Sequence, residues 1–300
     1  MPKRLKAYLA LIVVAIVWGA ALPIVKPALE FITPAQFLFF RYLLAAPLAL
    51  PIFIYYFIKL KPKRNLIIKI ILLEAFTYFT LIILYQGLKL TSAIEASLIG
   101  ATGPIFTVLG GILFLKEKEE KREWLGLIIS FFGTIILIVE PLLTGANSSI
   151  GLSLNGNLMI IGYNLTWTAY LLIAKKLYQK LPKLFISSFS YQIGLLCFFL
   201  INHFNHNSMS LSLLSHPSVA IAAIYMAVFG SIIGFTLYIY GQNLIEASEA
   251  CLFTYLQGVV AIPVAIILLN ESITWPALLA ILIISIGIFL AEYRPRKITT

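Results

Sequence analysis

Apolar residues run along this chain in stretches far longer than a soluble core element needs, broken by short clusters of polar and charged positions. Stretches of spanning length fall at 7–27, 35–58, 66–89, 92–115 and 123–140, then at 156–175, 185–203, 217–244, 248–269 and 275–292. About 20 residues of helix cross the hydrocarbon of a bilayer, so the pattern predicts an all-α polytopic membrane protein with ten transmembrane helices. The two longest breaks, 141–156 and 203–217, are rich in Asn, Ser and Gly and read as exposed loops. The first stretch follows Lys3, Arg4 and Lys6 as a secretory leader would, but its apolar run continues past Trp18 to Val25. It is read as an uncleaved first helix.

Charge gives these helices a direction. Lys and Arg cluster at Lys3, Arg4 and Lys6; at Lys59, Lys61, Lys63, Arg64 and Lys69; at Lys116, Lys118, Lys121 and Arg122; at Lys175, Lys176, Lys180 and Lys183; and at Arg294, Arg296 and Lys297. With ten crossings all of these share one side, and only Lys26 and Lys89 lie on the other. Basic loops stay cytoplasmic, so a multi-pass protein of the plasma membrane with both termini in the cytoplasm is expected. The net charge of +10 is thereby an orientation signal. No basic run interleaved with aromatics is present to bind nucleic acid.

The chain also repeats itself. One fixed offset pairs Gly87 with Gly241, Ala93 with Ala247, Glu95 with Glu249, Ala96 with Ala250, Glu117 with Glu271 and Gly133 with Gly287. A second offset pairs Trp18 with Trp167, Ala20 with Ala169, Lys26 with Lys175 and Tyr42 with Tyr191. Residues 1–145 and 146–300 are therefore expected to be two five-helix repeats. An odd number of helices per repeat turns the second copy upside down, which is the usual geometry of a carrier that opens to each side in turn.

Composition and chemistry narrow the function. The chain is 61% hydrophobic and 11% charged, against about 45–50% apolar and about 25% charged in soluble domains. All 12 acidic residues are glutamates, and the three histidines, His203, His206 and His216, lie in or beside one loop. No Gly-x-x-x-x-Gly-Lys run or His-Glu-x-x-His occurs. An enzyme, a metal site and a cofactor are accordingly not expected. His203 and His206 read as solvated, and Cys197 and Cys251, inside apolar stretches, as buried thiols rather than a disulfide.

Ala-Ile-Val-Trp-Gly at 15–19, Phe-Phe-Arg-Tyr at 39–42, Leu-Lys-Glu at 115–117, Gly-Gln-Asn-Leu-Ile-Glu-Ala-Ser at 241–248 and Leu-Asn-Glu at 269–271 together resemble the drug/metabolite transporter superfamily in its ten-helix EamA-type branch. The resemblance covers nearly the whole chain. It implies a central cavity enclosed by the first four helices of each repeat, and secondary transport of a small organic solute by alternating access, with amino-acid export foremost. Uptake or exchange of a nucleotide-like or cationic metabolite is the rival reading, and a channel the third. The partners expected are a small-molecule substrate and the lipid bilayer, for a monomer or a homodimer. The second half departs from the pattern: it has Trp167-Thr168 in place of Trp-Gly and no Arg matching Arg41.

An ionisable residue inside a span costs about 2.5–3.5 kcal/mol and is a functional candidate by default. Arg41 and Glu74 stand out. Arg41 reads as a substrate contact or as a side chain paired or snorkelling to the interface. Glu74 reads as a site for an amine or a proton, or as a carboxyl buried by hydrogen bonds. Trp18 and Trp167 sit deep in equivalent spans and need partners for their indole N–H groups. Tyr78, Asn164, Tyr191, Gln192, Tyr238, Gln242, Tyr255 and Gln257 complete the candidate cavity set, each alternatively an interhelical hydrogen-bonding group. Gly103, Pro104, Gly258 and Pro263 read either as interruptions that hinge the fourth and ninth helices or as close-packing positions.

Overall fold

The structure is a computed structural model that describes residues 3–115, 121–144, 150–242, 244–245 and 247–292. These residues are helical, with no strand among them. The first stretch folds as α1 (Lys3–Gly19), a short α2 (Ala21–Val25) and a 3-10 segment over Lys26–Glu30. Next come α3 (Pro34–Leu60), α4 (Arg64–Leu90), α5 (Ala93–Gly100), α6 (Gly103–Leu115) and α7 (Lys121–Thr144). The second half continues with α8 (Ile150–Leu177), α9 (Lys183–Phe204), α10 (Pro217–Ile224), a π-helical segment over Tyr225–Ile233, α11 (Gly234–Gln242), α12 (Ala247–Leu269) and α13 (Trp275–Glu292). Among the described residues, 8 helical runs are long and apolar enough to cross a membrane, and Leu256–Leu269 and Trp275–Gly287 are shorter apolar helices. Each overlies one of the predicted stretches.

Local chemistry explains where these helices start and stop. Thr33 begins α3 with a reciprocal cap: its Oγ1 accepts from the Gln36 N–H while its own N–H donates to Gln36 Oε1, and Pro34 fills the first helical position. Lys61, left-handed with φ 43°, ends α3 just before Pro62. Ser92 caps α5 by accepting from the Glu95 N–H at 3.0 Å. The fourth span breaks between α5 and α6 at residues 101–102, beside the predicted Gly103 and Pro104. The ninth does not break: α12 is continuous through Gly258 and Pro263, so the expected pair of interruptions is realised on one side only. Proline costs a helix one backbone bond but leaves the flanking turns intact.

Burial is arranged as lipid requires. Large apolar side chains point outward all around the bundle, with Ile58 65% exposed, Phe114 74% and Ile267 76%, whereas fully buried positions include Ala7, Ala45, Ala96, Ala222, Ala227 and Ala265. Small interior residues let helices approach where the solvent gives no hydrophobic push.

Alpha7 packs along α13, α4 along α8, α3 along α9, and α1 against α11 and α12. A Cβ on Gly133 would lie 3.1 Å from the Ala280 carbonyl oxygen, and one on Gly287 would lie 2.6 Å from that of Gly126. Gly126 and Ala280 are related by the offset that relates Gly133 to Gly287, so one contact is the image of the other. Likewise Gly87 faces Ile160 while Gly241 faces Leu11. Both pairs of contacts thus recur at the sequence offsets that relate the two halves of the chain.

Candidate functional site

Alpha4 carries Glu74 roughly 15 Å from its start at Arg64, at about 1.5 Å per residue. The side chain is 1% exposed. Its Oε1 accepts from Tyr178 Oη at 2.6 Å and Tyr170 Oη at 3.2 Å, and its Oε2 accepts from Ser190 Oγ at 2.5 Å. These donors come from α8, from the turn after it and from α9, so one carboxyl ties three segments together. Burial, and then the charge of Glu74, push the Tyr178 hydroxyl up, which keeps it a donor. Tyr78, one turn beyond Glu74, donates to the Ser190 carbonyl and packs its ring edge-on against Tyr42 at 5.6 Å. No Lys or Arg reaches Glu74 among the described residues.

Arg41 lies at the other end of the same group of residues. It does not snorkel. Its Nε and Nη2 donate to Ser231 Oγ at 3.2 and 3.0 Å, and its Nη1 donates to Tyr85 Oη at 3.4 Å. Ser231 belongs to the π-helical segment, and its own hydroxyl donates to the Met226 carbonyl five residues back. Tyr191 Oη donates to the Ser231 carbonyl, and the Arg41 guanidinium stands 5.4 Å from the Tyr42 ring centre. The guanidinium is enclosed by α3, α4, α9 and the π segment.

Alpha8 supplies a row of rings between the two charged groups. Tyr163, Trp167 and Tyr170 stack in sequence, with centroids 6.0 and 5.1 Å apart. Gly162, beside Tyr163, faces Ile83, two residues before the Tyr85 that holds Arg41, and Tyr170 touches Glu74. Trp167 is half-buried, and its indole N–H has no acceptor among the described residues. Trp18, its counterpart in the repeat, is used differently: Nε1 donates to the Gly230 carbonyl at 2.9 Å, and the ring packs on Tyr238 at 5.1 Å. Gly234 makes this possible, because a Cβ there would stand 2.7 Å from the indole nitrogen.

The remaining predicted residues divide. Asn164 donates to the Ile99 carbonyl at 2.8 Å and contacts Thr102 Oγ1 at 3.4 Å, filling the break between α5 and α6. Gly258 faces Ala101 and Leu98 at that break. Gln192 donates to the Ala46 carbonyl at 2.8 Å. The backbone of Gln257 packs against Gly19, away from Glu74 and Arg41. Pro263 is exposed. The side chains of Pro104, Gln242 and Tyr255 lie outside the described residues, as does Glu117. Sequence reasoning missed Tyr85, Tyr163, Tyr170, Tyr178, Ser190 and Ser231. Only Tyr163 and Tyr170 carried a signal, sitting four before and three after Trp167 on one helix face.

The end of the bundle beyond Arg41 is closed by a second cluster. Glu271, between α12 and α13, accepts from the Ala93 and Ile94 N–H groups at 2.8 and 2.9 Å and pairs with Lys26 Nζ at 3.2 Å. Lys26 also donates to the Thr91 carbonyl. Asn157, fully buried, and Thr91 both donate to Glu95 Oε2 at 2.7 Å.

Comparison with known proteins agrees with this architecture. The profile of the EamA-like transporter family matches residues 5–139 and again 154–293. An uncharacterized transporter of Archaeoglobus fulgidus is 22% identical, covering 89% of this chain and 90% of its own. The uncharacterized transporter YcxC of Bacillus subtilis is 27% identical, covering 94% and 91%. A protein of Salmonella typhimurium named a probable amino-acid metabolite efflux pump is 23% identical, covering 96% and 94%. A solved crystal structure shares the fold with a TM-score of 0.63 at 14% identity, covering 96% of each chain.

Proposed function

Because the chain belongs to the EamA-like transporter family, we propose that it is a secondary carrier exporting an amino acid or related amphipathic metabolite by alternating access. Two separate family matches and the duplicated glycine contacts support two inverted five-helix halves around a shared site. The Lys and Arg distribution supports cytoplasmic termini in the plasma membrane. The observation that carries the reading is the row Tyr163–Trp167–Tyr170, which runs along α4 from the level of Tyr85, the partner of Arg41, to Glu74. An aromatic wall with polar groups at its ends fits a solute that is apolar in part and charged in part. The name of the Salmonella relative points to the same substrate class.

The mechanism turns on which end is tied. Here the Lys26–Glu271 cluster holds α5, the 3-10 segment and the α12–α13 loop together. Release of that cluster opens this end, while the α5–α6 break at 101–102 absorbs the bending. Glu74 is the proposed site of a coupled proton: its three hydroxyl partners serve a carboxylate, and a protonated carboxyl can in turn donate to one of them.

Counterflow in proteoliposomes with labelled amino acids, nucleosides and organic cations tests the function. Saturable counterflow of amino acids is expected. Conductance that does not saturate would favour a channel and overturn the carrier. Reporter fusions at residues 117 and 271 are expected in opposite compartments; finding both on one side removes the inverted repeat.

A further inference from the structure

We propose that Arg41 is the anchor for a carboxylate on the transported solute, and that the Tyr163–Trp167–Tyr170 row seats the apolar body of the same molecule. This rests on the carrier reading above and names the chemistry its site selects.

Arg41 has five N–H donors and uses three, all on hydroxyl oxygens. With Ser231 on the Nε–Nη2 edge and Tyr85 on Nη1, one N–H on each terminal nitrogen has no acceptor among the described residues. Those two N–H groups are left to hold a carboxylate. The charge is also uncompensated: among the described residues the ion pair is Lys26 with Glu271, and none involves Arg41. A guanidinium kept inside a span without a carboxylate is in want of a counter-ion, and a mobile one makes it a binding site. One monovalent cation suits a carboxylate. A phosphate dianion calls for more positive charge, and Lys26 is already paired with Glu271.

Glu74 is too far away to take part in the same grip. Tyr85, which holds Arg41, is eleven residues beyond Glu74 on α4, or roughly 16 Å along the axis at about 1.5 Å per residue. An α-amino acid carries its two charges within about 3 Å, the span of two or three covalent bonds, so its carboxylate on Arg41 leaves its ammonium nowhere near Glu74. The amine is therefore dispensable and the carboxylate is required. Tyr163 to Tyr170 spans roughly 10 Å by the same rise, enough for a phenyl or indole body extending from Arg41.

Counterflow of labelled 3-phenylpropionate, phenylalanine, phenethylamine and phenyl phosphate in separate proteoliposome batches, corrected with protein-free vesicles, decides this. The two carboxylates are expected to move at least tenfold faster than phenethylamine and faster than the phosphate. Arg41→Gln is expected to bring the flux of the two acids down to that of phenethylamine measured in the same variant, with partial recovery of the ratio in Arg41→Lys. Phenethylamine or phenyl phosphate moving as fast as the acids in the native protein overturns the assignment, whether or not the variants fold. So does flux of other solutes in the broad panel with none of these four, which leaves the carrier standing. No counterflow in either panel sinks both.

Discussion

Lys26 and Glu271, 245 residues apart in sequence, meet at 3.2 Å, and the Glu271 carboxylate at the same time receives the first two N–H groups of α5. The side chains are 25% and 14% exposed, shielded enough that the contact outranks an ordinary surface pair. Its two duties predict an asymmetric response to substitution. With Cys197 and Cys251 replaced, a cysteine at Ser97 in α5 is expected to react several-fold faster with an impermeant thiol reagent in Lys26→Met and in Glu271→Gln. The swapped pair Lys26→Glu with Glu271→Lys is expected to stay fast, because a lysine at 271 cannot accept from Ala93 and Ile94. Full protection in the swapped variant would mean that only the charge pair matters.

Glu74 is surrounded by hydroxyls rather than cations. Glu74→Gln keeps the shape and removes the titration. Flux measured across pH 5.5–8.5 is expected to lose its pH dependence in this variant while the protein still inserts. An unaltered profile removes Glu74 as the proton site.

The two tryptophans, equivalent in sequence, are expected to separate in experiment. Trp18 is bonded and packed, so Trp18→Ala is expected to lower stability by roughly 2–4 kcal/mol, toward the low end for a lost aromatic ring because Trp18 is only partly buried. Trp167→Ala leaves no acceptor orphaned among the described residues and is expected to cut flux at least fivefold with little change in melting temperature. Equal thermal losses would return Trp167 to a packing role.

Gly287 stands where a methyl group would lie 2.3 Å from Ser130 Oγ and 2.6 Å from the Gly126 carbonyl oxygen. Gly287→Ala therefore forces α7 and α13 apart and is expected to cost about 1–3 kcal/mol. Gly162→Ala, whose nearest contact would be 3.8 Å, is the control and is expected to stay within about 0.5 kcal/mol of the native protein. Thermal unfolding in detergent compares the two.

The spans were legible because lipid imposes a length and a polarity that few sequences mimic, and the recurrence of Gly133 and Gly287 at one offset reappears as matching contacts between α7 and α13. Arg41 and Glu74 announced themselves by being charged in apolar surroundings. Their partners did not. Tyr170, Tyr178 and Ser190 come to Glu74 from 96 to 116 residues away, and a tyrosine or serine in a helix gives no sign of which helix it will face. The equal standing of Trp18 and Trp167 failed for the same reason: which acceptor each indole meets depends on the neighbouring helix, and only Trp18 lies against the Gly230 carbonyl. Pro263 lies within a continuous α12, because a proline permits a bend without requiring a break.

Alpha5 is eight residues long, and the acceptor for its leading amides arrives at position 271 of a 300-residue chain. During synthesis, those amides must wait in or near the bilayer until the chain has been made as far as Glu271. The early half of this molecule therefore matures last, at the moment the late half delivers its glutamate. A nascent chain released short of that residue leaves its fourth crossing unfinished and open to the quality-control proteases of the membrane.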